Sequence, residues 1–186
     1  MTRTHNMNEE TIVNEHGGAQ SKIRYTPRLV PGEAILSLYK EFYKLENHKW
    51  RENKVEALIN DAVVTIASLL DTSNFEELET AFLTCAQAIT IEEQKENYKE
   101  SIIPPEPLLR IAEVTAAGVE KYGENNWRLI PYVDHLDHAV SHLWLWQTGD
   151  TSDDHLGHAL CRLAFSIAMF PANGWDFKEV RTGIKK

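Results

Sequence analysis

Five of the eight histidines in this chain fall within 24 positions, at His135, His138, His142, His155 and His158, with Asp134, Asp137, Asp150, Asp153 and Asp154 among them. Imidazole and carboxylate side chains move protons near neutral pH and hold divalent ions. One histidine in a helical run is ordinarily a hydrogen-bonded structural residue, but five interleaved with aspartates point to a site. Helical spacing sharpens the pattern. Val133, Leu136, Val140 and Leu143 form one apolar stripe. Asp134, Asp137, His138, Ser141 and His142 fall on an opposite arc, at spacings that bring their side chains together. On the next helix His155 and His158 stand one turn apart, with Ala159 and Leu163 towards the core. The connection Gly149-Asp150-Thr151-Ser152-Asp153-Asp154 is short enough to fold the two helices back on each other, so that their polar faces meet around one ion. The candidate ligand pool is Asp134, Asp137, His138, His142, His155 and His158. His135 points away from the arc and reads as structural, and the acidic run from Asp150 to Asp154 reads equally as a capped loop. Mixed oxygen and nitrogen donors suit Mn2+, Co2+ or Zn2+, and an aspartate-dominated set suits Mg2+. Such an ion polarises a phosphoryl oxygen and acidifies an attacking water.

Lys121-Tyr122-Gly123-Glu124-Asn125-Asn126-Trp127-Arg128 is the other conspicuous segment. Gly123 suits a left-handed helix cap, and Trp127 suits a core anchor. Lys121 and Arg128 are cations close to the His/Asp cluster in an acidic protein, placed to meet substrate phosphates, although an ordinary solvated turn uses the same residues.

The elements that must position these groups read as helices nearly throughout. Apolar periodicity marks runs from Ala34 to Tyr43, from about Val55 to Leu70 and from about Phe75 to Thr90. Asp71-Thr72-Ser73-Asn74 gives a turn and N-cap signal, and the charged stretch EEQKENYKE leads to Pro104-Pro105, which must break the chain. No segment reads convincingly as a strand. Residues 1–25 are expected to form a flexible arm, and the tail after Pro171 is irregular, with Trp175 and Phe177 able to dock it. The second half then repeats the plan of the first. PPEPLL at 104–109 resembles PGEAIL at 31–36, while Lys121, Trp127-Arg128 and Ala139-Val140 follow Lys44, Trp50-Arg51 and Ala62-Val63 at a constant offset of 77 positions. The expected fold is therefore an all-α helical bundle of two similar halves, an internal pseudo-repeat, with residues 26–100 lacking the His cluster and 101–186 carrying it.

Composition bounds the function. Hydrophobic residues make up 42 % and charged residues 25 %, as in soluble proteins with a real core. The net charge of −9 disfavours nucleic acid as a partner, whereas a small phosphorylated ligand is compatible because one metal ion reverses the local sign. Cys85 and Cys161 sit in apolar runs and read as buried hydrophobes rather than a disulfide. No apolar stretch reaches the ~18–20 residues that span a bilayer, and the polar N-terminus is no signal peptide, so a cytoplasmic protein is expected.

The order KYGENNWR, D-H-A-V-S-H-L, G-D and H-L-G-H-A resembles the phage-enriched dATP/dGTP diphosphohydrolases of the MazZ type, relatives of the MazG-like all-α nucleotide pyrophosphatases. The resemblance covers about residues 104–169, with 24–90 as a degenerate copy. It implies a MazG-like fold, cleavage of a nucleoside triphosphate between the α- and β-phosphates with Mg2+ or Mn2+, and a role in remodelling the purine deoxynucleotide pool of a phage in the host cytoplasm. On matching positions it implicates Lys121, Asn126, Trp127, Asp137, His142, Asp150, His155 and His158. The chain departs from the pattern at Ser141, where the family has Arg, and its linker before His155 is shorter. MazG-like enzymes hold metal with E-x-x-E and E-x-x-D, whereas this half offers Asp134-x-x-Asp137 and His155-x-x-His158. Glutamates of the first half, such as Glu76-Glu77-x-Glu79, are an alternative source, within the chain or across a homo-oligomer.

Residues and resemblance together give a purine dNTP diphosphohydrolase. Asp137, His142, His155 and His158 are catalytic candidates, and Lys121, Asn126, Trp127 and Arg128 are substrate-binding candidates. Asp134, Asp137, His138, Asp150, His155 and His158 are metal candidates. One alternative is an HD-type phosphohydrolase releasing triphosphate, against which stands the absence of a His-Asp pair in the sequence. The other is a non-catalytic helical protein that binds a nucleotide or a partner.

Overall fold

In a computed structural model, the structure describes residues 11–13, 19–21, 27–45, 48–72, 74–93 and 104–170. Six α-helices form the bundle: α1 (Gly32–Lys44), α2 (Val55–Thr72), α3 (Phe75–Glu92), α4 (Glu106–Tyr122), α5 (Tyr132–Gln147) and α6 (His155–Met169). The expected all-α architecture is observed. One difference is a small antiparallel ribbon, β1 (Thr11–Val13) on β2 (Ala19–Ser21), within the expected N-terminal arm. Thr11-Ile12-Val13 is a run of β-branched residues, too short to show a period in the sequence but suited to a pleated ribbon. The remainder of the arm, most of the charged stretch after Glu93, and the tail with Trp175 and Phe177 lie outside the described residues.

The helix starts follow from local chemistry. Pro31, Pro105 and Pro131 precede the first residues of α1, α4 and α5, where a missing N–H costs nothing. The side chain of Asn74 caps α3 by accepting from the Glu76 N–H, while α2 continues to Thr72. Gly123 ends α4 at φ 88° and ψ 160°, so the positive φ expected of it is present but in an extended rather than a left-handed helical conformation.

The order helix, 3-10 turn, helix, helix occurs twice, with 3-10 turns at His48–Glu52 and Asn126–Leu129. α2 packs on α3 and α5 on α6, while α3 and α6 touch across the centre and α1 and α4 each contact both. All of these helices share one core, so the halves are not independent domains. α6 is the central helix: Leu156, Ala159, Leu160, Leu163, Ala164, Ile167 and Ala168 are buried on successive faces. A helix buried on nearly all sides is a rigid base for the polar side chains of its first turns. No helix among the described residues is long and apolar enough to cross a membrane.

Candidate active site

Asp154 sets the start of α6. Its carboxylate accepts from the Gly157 N–H at 3.0 Å, satisfying an orphan donor of the first turn. The same oxygen receives Arg110 Nη1 of α4 at 2.6 Å, and Arg110 also pairs with Glu92 and Glu93 at the end of α3. Trp146 Nε1 of α5 donates to Glu92 at 3.1 Å. Three helices, α3, α4 and α5, are thereby tied to the turn of α6 that carries His155 and His158.

That turn meets α5 at one imidazole. His142 Nδ1 lies 3.1 Å from His155 Nδ1, so one ring donates and the other accepts. The His142 ring also stacks on His158 with centroids 4.8 Å apart. Two aspartates of the connecting loop complete the cluster: Asp150 Oδ2 is 3.5 Å from His155 Nε2, and Asp153 Oδ1 is 3.3 Å from His158 Nε2. Burial, reinforced by the neighbouring His158 and His155, lowers the His142 pKa to about 4 and keeps that ring neutral at pH 7. The backbone N–H of Ser152 holds the Asp150 carboxyl below its ordinary value.

Asp134, Asp137 and His138 stand apart. Asp137 and His138 are exposed and Asp134 is half-buried. Among the described residues no hydrogen bond or ion pair joins these three to the cluster. The reason is the phase of α5. Its buried face is Tyr132, His135, Leu136, Ala139 and Leu143, with Val133 and Val140 only half-buried. The inward arc is therefore rotated towards the line His135–Ala139–His142, which faces α6, and the Asp134-x-x-Asp137 edge turns outward.

His135 is structural in the strict sense: it is wholly buried, with Nε2 3.0 Å from the Trp127 carbonyl. Arg162 Nη1 lies 3.2 Å from His135 Nδ1. A guanidinium only donates, so Nδ1 accepts and the Nε2–H donates to Trp127. Burial is the main cause that lowers the His135 pKa to about 4; the Trp127 bond opposes it, and the Arg162 charge adds to it.

Behind this pair lies a cavity of about 370 Å³ between α4, the Asn126–Leu129 turn and α6. Its walls include Gly118, Lys121, Asn126, Trp127, His158 and Arg162. Trp127 is buried and stacks on Phe165, ring centroids 4.7 Å apart and planes within 4°. Lys121 is exposed beside the Tyr122 ring, and Arg128 lies outside the cavity walls with its guanidinium 4.4 Å from the Trp127 centroid. His158 belongs to both the cavity and the His/Asp cluster.

Sequence reasoning did not single out Arg162 or the Arg110–Asp154 clamp. Arg162 follows His158 by four positions and so shares its helix face, a signal present in the sequence. The clamp joins residues far apart in sequence and carries no local signal.

The donor chemistry suits a divalent ion: three imidazoles, two aspartates, and a buried His155 Nε2 without a hydrogen bond. Among the described residues, no three His, Cys, Asp or Glu side chains converge as a complete cage requires.

Residues 86–176 match the model of the family described as dATP/dGTP diphosphohydrolase, N-terminal, a family of nucleotide-hydrolysing enzymes. The matched stretch contains α4 to α6, the cavity and the whole His/Asp cluster. No curated protein and no solved structure matches the chain.

Proposed function

From that match we propose that the chain is a metal-dependent diphosphohydrolase of purine deoxynucleoside triphosphates, releasing the monophosphate and pyrophosphate. The observation that carries the reading is the junction at His158, where a cavity of about 370 Å³ with aromatic walls meets a cluster of three imidazoles and two carboxylates. Its volume falls in the range of small-molecule sites. The base and sugar occupy the aromatic side, and the phosphates extend past His158 towards the loop 148–154.

The chain's own groups have distinct tasks. With its Nδ1–H donated to His155 Nδ1, neutral His142 would present the Nε2 lone pair to a proton of an attacking water. Lys121, at the cavity rim, offers charge to the phosphates as a flexible ammonium. Asp150, Asp153, His155 and His158 come as two His–Asp pairs rather than as a cage. That pattern suits an ion whose shell is completed by substrate phosphates, the usual habit of Mg2+. Bound there, the ion would neutralise charge on the phosphates and favour departure of pyrophosphate.

The test is to incubate purified protein with dGTP and dATP, with Mg2+, with Mn2+ and with chelator, and to identify the products. Metal-dependent dNMP and pyrophosphate is the expected result. Nucleoside plus triphosphate would replace the proposal with an HD-type reaction, and absence of turnover under every condition would refute it.

A further inference from the structure

The cavity holds one charged group whose setting is unlike the others. Arg162 lines the same wall as Phe165, three positions later on α6, so a planar cation and an aromatic ring face the same space. Among the described residues no carboxylate pairs with Arg162. Its Nη1 is instead held by the Nδ1 of His135, a buried ring that is itself anchored on the Trp127 carbonyl. This chain of two bonds fixes the guanidinium in the cavity lining and consumes one of its five N–H donors. The rest of the fork has no partner in the described protein and lies in a largely apolar cavity, where an unpaired charge is costly. The ligand must therefore supply acceptors, arranged in a plane beside a stacked ring.

On the reading of the site as a purine deoxynucleotide site, we propose that Arg162 is the base-selecting residue and reads the N7 and O6 acceptors of guanine. Guanine offers two adjacent acceptors on that edge, which match the two parallel donors of a guanidinium. Adenine offers N7 beside an amino donor, so one N–H of the fork would face another donor. Phosphate is the competing partner for an arginine. It is disfavoured here because the guanidinium is held by His135 in the cavity that Phe165 and Trp127 line, while Lys121 and the His/Asp cluster occupy the ends where phosphates emerge. Arg162 thus makes the site prefer dGTP over dATP, and His135 is a positioning residue acting through it.

Three substrates and two variants test this. Wild-type protein is assayed with dGTP, dATP and 7-deaza-dGTP, which lacks only the N7 acceptor, and the binding of dGMP and dAMP is measured by calorimetry. The expected result is a preference for dGTP over both others of about tenfold or more, the order of one bidentate contact. Dissociation constants for dGMP and dAMP should differ in the same sense. Arg162→Met should bring the three substrates to within about twofold of one another by weakening dGTP most. Arg162→Lys, which keeps the charge but lacks the fork, should do the same and stands in if the methionine variant does not fold. Equal losses on all three substrates would overturn the proposal in favour of a phosphate contact, as would a wild-type enzyme indifferent to the base. If no triphosphate is turned over but dGMP binds better than dAMP and Arg162→Met removes the difference, the base-reading role stands and the diphosphohydrolase reading falls.

Discussion

Lowering the pH from 7 to 5 should destabilise the protein through His135, a residue that takes no part in the chemistry. Burial holds its folded-state pKa at about 4, against an ordinary value of 6.5. The unfolded chain therefore binds the proton first as the pH falls. Stability is intact above the unfolded value and is lost as the pH drops from about 6.5 towards about 4. A separation of this size corresponds to about 3 kcal/mol over the whole window, of which about 2 kcal/mol is lost between pH 7 and pH 5. For a chain of this length that is a fall in Tm of about 4–8 °C. Carboxylates and His142 add to the acid slope, so the assay is a difference between two proteins. Urea denaturation of wild type and of His135→Gln at pH 7 and pH 5 gives each slope. The glutamine retains a donor and an acceptor and is expected to be less stable at both pH values. Its loss on acidification should nevertheless be smaller than the wild-type loss by about 2 kcal/mol. Equal slopes for the two proteins would refute the argument that burial suppresses protonation of this ring, and a wild type that gains stability on acidification would refute its sign.

Two further perturbations address the base of α6. Gly157→Ala, ordinarily a gain of about 1 kcal/mol inside a helix, should instead lower Tm in a thermal melt, because an added Cβ would overlap the Asp154 carboxylate that caps the helix. An unchanged or raised Tm would show that the cap moves aside freely. Arg110→Met should cost about 1–3 kcal/mol, between the values of exposed and fully buried pairs, since its side chain is 20 % exposed and its loss leaves Glu92, Glu93 and Asp154 facing one another. Salt should restore part of that loss by screening the carboxylates, and a variant whose melt is insensitive to salt would contradict the account.

The helices were legible because each carries its own periodicity and punctuation. Pro31, Pro105, Asn74 and Gly123 mark ends that α1, α3 and α4 actually use, and the apolar rows of α2 and α3 are long enough for a 3.6-residue period to stand out. The ribbon Thr11–Val13 with Ala19–Ser21 was not legible, because three residues per strand cannot establish a period of two. The rotation of α5 escaped for a different reason. Hydrophobicity assigns the core face by residue type, and His135 is polar by type. In the fold its two nitrogens are both satisfied, by Trp127 and Arg162, so it behaves as a core residue and carries His142 inward with it.

That displacement also explains which part of the site could be read in advance. His142, His155 and His158 are neighbours because a short loop folds α5 onto α6, and spacing alone gives that much. Asp134, Asp137 and His138 satisfy the same spacing rule on α5 and still turn outward, because the rule fixes which residues share a face but not which face is inside. The determining contact is the hydrogen bond from His135 to the Trp127 carbonyl eight positions earlier, which ties α5 to the turn after α4. The bond from Arg162 then links the same histidine to α6 and to the cavity. A buried polar residue with both nitrogens committed thus sets the helix phase, the cavity wall and the orientation of the proposed base reader at once. Replacing His135 by leucine would fill the volume but leave the Trp127 carbonyl only the 3.3 Å bond from the Ile130 N–H and release the guanidinium, so burial and polarity at this position cannot be exchanged for packing alone.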